Sequence, residues 1–214
     1  MKCIRIALVL ALLAAVPAFA ADRSFDLTGW AAWVDTNSNG TFNSSSPNQP
    51  FDVNFNGKLG YGVGANIFFG NNLSLSLDGV QVRPGTTIRS RAVGGGSFPA
   101  SGIRMTPLSA VLQFHFAPRG VIDPYIGAGG AYVLFDNVNG FGNLNVNKIN
   151  FKHDAGLALN GGIAFRITPN LALTADGKYV PLKSSATAVY TSSTTTTRVK
   201  INPVIFSGGL TLRF

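Results

Sequence analysis

The stretch VIFSGGLTLRF, residues 204–214, decides the fold. Phe206, Leu210, Leu212 and Phe214 lie an even number of positions apart, while Ser207, Thr211 and Arg213 fall between them. Period-2 alternation of this kind is the pattern of a β-strand with one apolar and one polar face. What covers the apolar face, a second sheet or a lipid bilayer, then separates the possible architectures.

The opposite end of the chain reads MKCIRIALVLALLAAVPAFA, residues 1–20. Lys2 and Arg5 precede an apolar run over residues 6–16, and Ala18-Phe19-Ala20 supplies a small-x-small cleavage triplet. This pattern predicts a secretory signal peptide at 1–20 and a single mature domain at 21–214. The apolar run is too short for a spanning helix, and no later stretch approaches the roughly 20 apolar residues such a helix needs. A membrane crossing must therefore be made by strands. The one cysteine, Cys3, falls inside the signal, so no disulfide framework or thiol chemistry is expected in the mature part. All nine acidic residues are Asp, and Lys2 and Arg5 account for two of the eight net positive charges. Only 12% of residues are charged, with 25 Gly and 16 Phe among 214. That is about half the charge of an average soluble domain and suits a surface solvated by lipid.

The same alternation, bounded by Gly, Pro, Asn and Ser clusters, predicts eight strands at 25–34, 58–69, 73–82, 104–116, 124–135, 154–167, 171–182 and 199–214. Their connections alternate. Residues 70–72, 117–123 and 168–170 are short turns, whereas 35–57, 83–103, 136–153 and 183–198 are long loops. Short turns on one rim and long loops on the other describe an eight-stranded antiparallel up-and-down transmembrane β-barrel of the bacterial outer membrane. The competing architecture is a secreted β-sandwich, which buries its apolar face against a second sheet. The seventh strand argues for the barrel: Leu171, Leu173, Ala175 and Tyr179 share one face, and Thr174, Asp176 and Lys178 the other. Aromatics near strand ends, Phe25, Trp33, Phe69, Phe116, Phe165, Tyr179 and Phe214, suit interfacial girdles.

MTPLSAVLQFHF (105–116) followed by DPYIGAGGAYVLFDN (123–137) resembles the fourth and fifth strands of the OmpW family of small outer-membrane proteins. LGYGVGANIFFGNNLSLSLDGV (59–80), ALNGGIAFRITPNLALTADGKYVPL (158–182) and NPVIFSGGLTLRF (202–214) resemble its second and third, sixth and seventh, and closing strands. The loops depart from the family pattern, above all 35–57 and the Ser/Thr-rich 184–197. The resemblance implies an eight-stranded barrel that admits small hydrophobic molecules, with colicin reception in some relatives. It also implies that the terminal Phe214 is read by the outer-membrane barrel assembly machinery.

Parity assigns the lumen-facing side chains, and an eight-stranded barrel is just wide enough to be filled by them or to hold one small ligand. Toward the long loops the inward set is apolar and small: Val34, Val80, Val82, Val133, Val180, Leu182, Val199, Ile201 and Ile205, with Gly60, Gly62 and Gly64 on the second strand. These glycines either leave volume free or ease strand curvature. A β-bulge is expected at Asp78-Gly79. Toward the short turns the inward set is polar and charged: Asp78, His115, Arg166, Asp176, Lys178 and Arg213. Charges so confined must pair, so this layer reads as a salt-bridged plug, closed beneath by Phe68 and Tyr125. An apolar cup above a plug points to passive uptake of a hydrophobic solute with sideways exit into the bilayer. Exit needs a weakened wall, and proline removes a ladder donor. Pro181 and Pro203, at the upper ends of the seventh and eighth strands, mark one seam, and Pro107 a competing one.

Other readings rest on other residues. Arg83, Arg89, Arg91, Lys148 and Lys152 make the long loops basic, with Arg198 and Lys200 at the border of the fourth. They suit lipopolysaccharide phosphates, or a phage, colicin or host surface, and equally ordinary solvated charge. A narrow polar-solute pore is the third alternative. The third loop alternates Asn with Val, Leu or Ile, as though strands continue above the membrane, and its Phe141, Leu144, Val146, Ile149 and Phe151 either line the cup's mouth or pack against neighbouring loops. The mature chain has two histidines, His115 and His153, and no Glu. With no nucleophile expected beside either, neither catalysis nor a metal or cofactor site is expected. Export and a lipid-facing surface leave no natural nucleic-acid partner.

Overall fold

The computed structural model describes residues 24–36, 39–42, 51–90, 97–100, 104–136, 138–141, 146–151, 153–190 and 194–214. The predicted signal peptide lies outside them. Eight long strands form the closed barrel: β1 (Phe25–Thr36), β4 (Lys58–Phe69), β5 (Leu73–Gln81), β8 (Met105–His115), β9 (Ile122–Phe135), β12 (Asp154–Thr168), β13 (Leu171–Tyr179) and β16 (Pro203–Arg213). Each pairs antiparallel with its neighbours in chain order, and β1 closes the ring on β16 from Asp26↔Arg213 to Thr36↔Pro203. Closure leaves no open edge, which a strand structure in hydrocarbon requires because no water there can satisfy backbone groups.

The long connections hold further strands. β2 (Asn39–Phe42), β3 (Phe51–Asn56), β6 (Gly85–Ser90) and β7 (Ser97–Ala100) form one four-stranded sheet. β10 (Val138–Phe141), β11 (Val146–Phe151), β14 (Leu182–Tyr190) and β15 (Thr194–Ile201) form a second. The wall thus continues beyond the membrane as two sheets, where the sequence pattern suggested continuing strands in the third loop alone. Two predicted strands are accordingly divided. The seventh ends at Tyr179 and resumes as β14 after Val180-Pro181, and the eighth begins as β15 and breaks at Asn202 before β16. A proline stands at each break and supplies no backbone N–H.

The outer face of the barrel is apolar. Leu27, Leu171 and Leu212 meet across three neighbouring strands, and Leu173 pairs with Leu210 beside them. Val63, Leu157, Tyr61 and Leu59 are about 70% exposed. A sandwich hides such residues between sheets; here they stand outward and need lipid. Phe69, Phe116, Phe165 and Phe214 ring the short-turn end, and Trp33, Tyr61, Tyr132 and Tyr179 the other, all exposed. Phe25 packs on Phe214, ring centroids 6.1 Å apart. At the tight β4–β5 turn Gly70 takes φ 82°, a left-handed conformation that costs glycine little.

The ladder through Asp78 and Gly79 runs without a register shift on either side, so the expected bulge is absent and Val80 and Val82 keep their inward parity. Of the two readings of the inward glycines, curvature holds. A Cβ on Gly60 or Gly62 would stand 2.4 or 2.3 Å from the carbonyl oxygen of Gln81 or Gly79, so β4 coils against β5 more closely than any other residue permits. Gly62→Ala should therefore cost about 1–3 kcal/mol of stability, read from urea unfolding in lipid vesicles. Gly29→Ala, where a Cβ meets nothing within 4 Å, is the control. Equal stability of the two variants would contradict this packing.

Candidate functional site in the barrel lumen

The inward side chains form three tiers. In the upper tier Val34, Val80, Val82, Val133, Val180, Leu182 and Ile205 are buried, and Ala32, Met105 and Phe135 join them. None is more than 5% exposed, so in this state the apolar lumen is closed on itself and not open to water. Val199 and Ile201 belong to β15, and their side chains lie outside the described residues, as do those of Phe141, Leu144, Val146, Ile149 and Phe151.

The middle tier is the plug. Lys178 on β13 pairs with Asp78 on β5 across the lumen, Ser109 Oγ donates to the same carboxylate, and Lys178 Nζ also donates to Ser109 Oγ at 2.8 Å. Asp176 is satisfied differently, accepting from Tyr125 Oη at 3.0 Å and from Asn160 Nδ2 at 2.9 Å. Thr211 Oγ1 lies 2.9 Å from Thr28 and 2.6 Å from Thr174, stitching β1, β16 and β13. Trp30, half-buried above this layer, stands where a Cβ on Gly64 would be 2.7 Å from its Nε1. A space of only about 20 Å³ is left among these groups, room for about one water.

Beneath the plug lies the floor. His115 is sandwiched between Phe68 and Tyr125, at centroid distances of 5.0 and 5.2 Å. Asp123 Oδ2 lies 2.9 Å from His115 Nδ1, and Ser74 Oγ lies 3.1 Å from its Nε2. In a neutral ring that donates to Asp123 from Nδ1, Nε2 accepts from Ser74. A serine, a histidine and an aspartate thus stand in the order of a hydrolytic triad, against the expectation that no nucleophile accompanies either histidine. Ser74 and His115 both face the lumen, and their meeting follows from a diagonal contact between β5 and β8, because Ser74 pairs directly with Gln113. All three are at most 1% exposed, so no substrate reaches Ser74 in this state, and the trio fastens β5, β8 and β9 under the plug.

Besides His115, which belongs to the floor, two expected plug members sit elsewhere. Arg166, expected beside the central carboxylates, reaches the short-turn rim, where its Nη2 donates to Pro118 O at 3.0 Å. Arg213, paired in register with Asp26, lines the same mouth. Both lie within three residues of a strand end, where Arg166 is half-buried and Arg213 is buried. Sequence parity also carried a signal for Trp30, Ser109, Asp123 and Asn160, inward by the same count as Thr28, Gln113, Tyr125 and Ala158, although none was singled out.

The wall has two interruptions. The β12–β13 ladder ends at Leu159↔Tyr179, and β14 beyond it pairs with β11 and β15 instead of β12. Above Tyr179 the sixth and seventh strands are therefore in contact but not laddered: a Cβ on Gly156 would stand 3.2 Å from Leu182 Cβ and 2.8 Å from Pro181 O. The seam expected between the seventh and eighth strands stays bonded, since Val180 N donates to Pro203 O at 3.0 Å and Leu182 pairs with Ile201. At Pro107 the β5–β8 ladder stops after Gly79↔Leu108 and is relatched by the mutual bonds of Val82 and Met105, 3.0 and 2.9 Å. Of the loop cations, Arg83 is exposed, while Arg89 and Lys148 are described in backbone only, on β6 and β11. Arg91 and Lys152 lie outside the described residues.

A closed eight-stranded barrel with an apolar exterior, girdled at both ends, is an outer-membrane protein. The chain belongs to the OmpW family, whose pattern it matches over residues 25–214. An uncharacterised outer-membrane protein of Sinorhizobium fredii, y4mB, is 26% identical over 167 residues, 76% of this chain and 69% of that one. The outer-membrane protein AlkL of Ectopseudomonas oleovorans is 24% identical over 176 residues, 74% of this chain and 75% of its own. The crystal structure of OprG from Pseudomonas aeruginosa superposes with a TM-score of 0.77 at 16% identity, covering 90% of this chain and 96% of OprG. The short turns accordingly face the periplasm and the loop sheets the cell exterior.

Removing one member of the central ion pair strands a buried charge. Lys178→Met alone should cost about 3–5 kcal/mol, and the double variant Lys178→Met/Asp78→Asn should recover part of that in the same urea assay. A single variant as stable as the double would remove the plug's electrostatic basis.

Proposed function

We propose that this barrel is a passive channel for small hydrophobic molecules, taking them from outside into an apolar upper lumen and releasing them sideways into the bilayer. The observation that carries this reading is the vertical division of the lumen, with small aliphatic side chains above and paired, hydrogen-bonded groups below. An apolar solute entering the upper tier gains about 25 cal/mol per Å² removed from water and is refused by the plug. The unladdered contact between β12 and β14 at Pro181 is the exit this reading favours, with Pro203 and Pro107 as further weak points. No energy source is needed, because the solute moves from water to lipid.

Uptake of labelled apolar compounds into proteoliposomes tests the proposal. Wild-type protein should accelerate it, and Pro181→Val, which offers an amide to the open edge, should slow it several-fold while leaving heat-modified gel mobility unchanged. Pro203→Val and Pro107→Val locate the exit by comparison. Wild-type uptake no faster than in protein-free vesicles would end the channel reading, and unchanged uptake in all three variants would end the lateral exit.

The closed upper lumen also favours a second reading, an interaction barrel whose loop cations Arg83, Arg89, Arg91, Lys148 and Lys152 engage lipopolysaccharide phosphates or a phage, colicin or host surface. Replacing those cations should abolish binding to lipopolysaccharide on this reading and leave apolar uptake untouched on the first. A polar-solute pore has the least support, given the filled middle tier. Planar-bilayer recordings should show no sustained large ionic current.

A further inference from the structure

The upper end of β12 is laddered on one side only. Its pairing with β13 begins at Leu159↔Tyr179, whereas its pairing with β9 runs on to Asp154↔Val133. Residues 154–158 therefore depend on β9 for ladder partners, and their contact with β14 across Gly156 is packing without a ladder. Beyond Asp154↔Val133 one more bond extends the β9 side: Phe135 N donates to His153 Nδ1 at 3.1 Å. Phe135, only 5% exposed and paired with Met105, closes the top of the apolar tier. One imidazole thus fastens both a residue that shuts the lumen and the strand that borders the unladdered wall.

That bond sets a condition on the ring. A backbone amide only donates, so Nδ1 must carry a lone pair and the ring must be neutral, with its proton on Nε2. Protonation places an N–H on Nδ1, two donors then face each other, and the bond is lost. His153 is exposed, its ring centroid 6.2 Å from that of Tyr132 in the outer girdle, so water at the cell exterior delivers the proton. The charged groups nearby have other partners: Asp154 Oδ1 accepts from Ala155 N at 2.8 Å, and Asp136, just past β9, lies 3.5 Å from Arg104. The side chains of Lys152 and of Lys183 on β14 lie outside the described residues.

We propose that His153 is a proton-released latch on the upper lumen, an inference that rests on the channel reading. With the ring neutral, β9 and β12 are fastened at their outer ends and the apolar tier stays shut. With the ring charged, the Phe135 amide loses its acceptor, and the upper end of β12 can part from β9 and from β14. Imidazole is the side chain that ordinarily changes charge between about pH 5 and pH 8, so mild acid outside the cell opens both the lumen and the wall beside it.

Uptake of a labelled apolar compound into proteoliposomes buffered alike on both sides, at about pH 8 and about pH 5, tests this. The wild type should take it up about fivefold faster at the lower pH, the effect of losing one hydrogen bond. His153→Asn, whose amide oxygen accepts at either pH, should stay slow at both, and His153→Ala, with no acceptor, should be fast at both. The Asn variant keeps His115, so an acid-induced rise that persists in it would overturn the latch. Wild-type uptake above that of protein-free vesicles but equal at the two pH values would overturn the latch and leave the channel reading standing. A second measurement needs no transport. Protection of the Phe135 amide from hydrogen exchange, relative to its unstructured rate, should fall several-fold in acid in the wild type and persist in His153→Asn. Undiminished protection in the wild type would overturn the latch even if uptake quickened.

Discussion

The ladder that joins the first strand to the last governs everything else in this molecule. Without the β1–β16 pairing the barrel would present two rows of unpaired amides and carbonyls to hydrocarbon, each costing several kcal/mol. Once the ring is closed, the two faces of every strand are assigned together. One meets lipid, and the other meets a lumen too narrow to hold more than its own side chains and one small guest. Leu27, Leu212 and Leu173 stand outside because Asp26, Arg213 and Thr174 stand inside.

The lumen then solves an electrostatic problem. Charges at that depth are tolerable only when paired, and the plug pairs Lys178 with Asp78 while Asp176 takes neutral donors from Tyr125 and Asn160. Arg166 and Arg213 lie at the periplasmic rim instead, Arg166 tethered to Pro118 O and Arg213 buried in register with Asp26.

Much of this was legible in the alternation of the strands. The eight barrel strands, the two aromatic girdles, the inward parity of Val34, Val80 and Val180, and the division of the lumen into apolar and polar tiers all follow from period 2 and turn chemistry. What was not legible depends on contacts between strands distant in sequence. The pairing of Ser74 with His115 and Asp123, and of Lys178 with Asp78, needs the register, which sequence parity does not supply. The loop sheets were legible only in the third loop, where Asn alternates with Val, Leu or Ile; elsewhere their strands carry Asn, Thr and Ser, turn residues, at strand positions. The effect of Pro181 also depends on geometry: a proline removes one donor, and only the structure tells that the weakened edge faces β12 and not β16.

The central claim is that apolar solutes leave through the unladdered contact of β12 with β14. Gly156 and Leu182 face each other across it, and a Cβ at Gly156 would lie 3.2 Å from that of Leu182, near the separation a disulfide spans. The most direct measurement is uptake of a labelled apolar compound by the Gly156→Cys/Leu182→Cys variant before and after reduction. The account predicts slow uptake with the bridge formed and wild-type uptake once it is reduced. Equal uptake in both states would place the exit elsewhere.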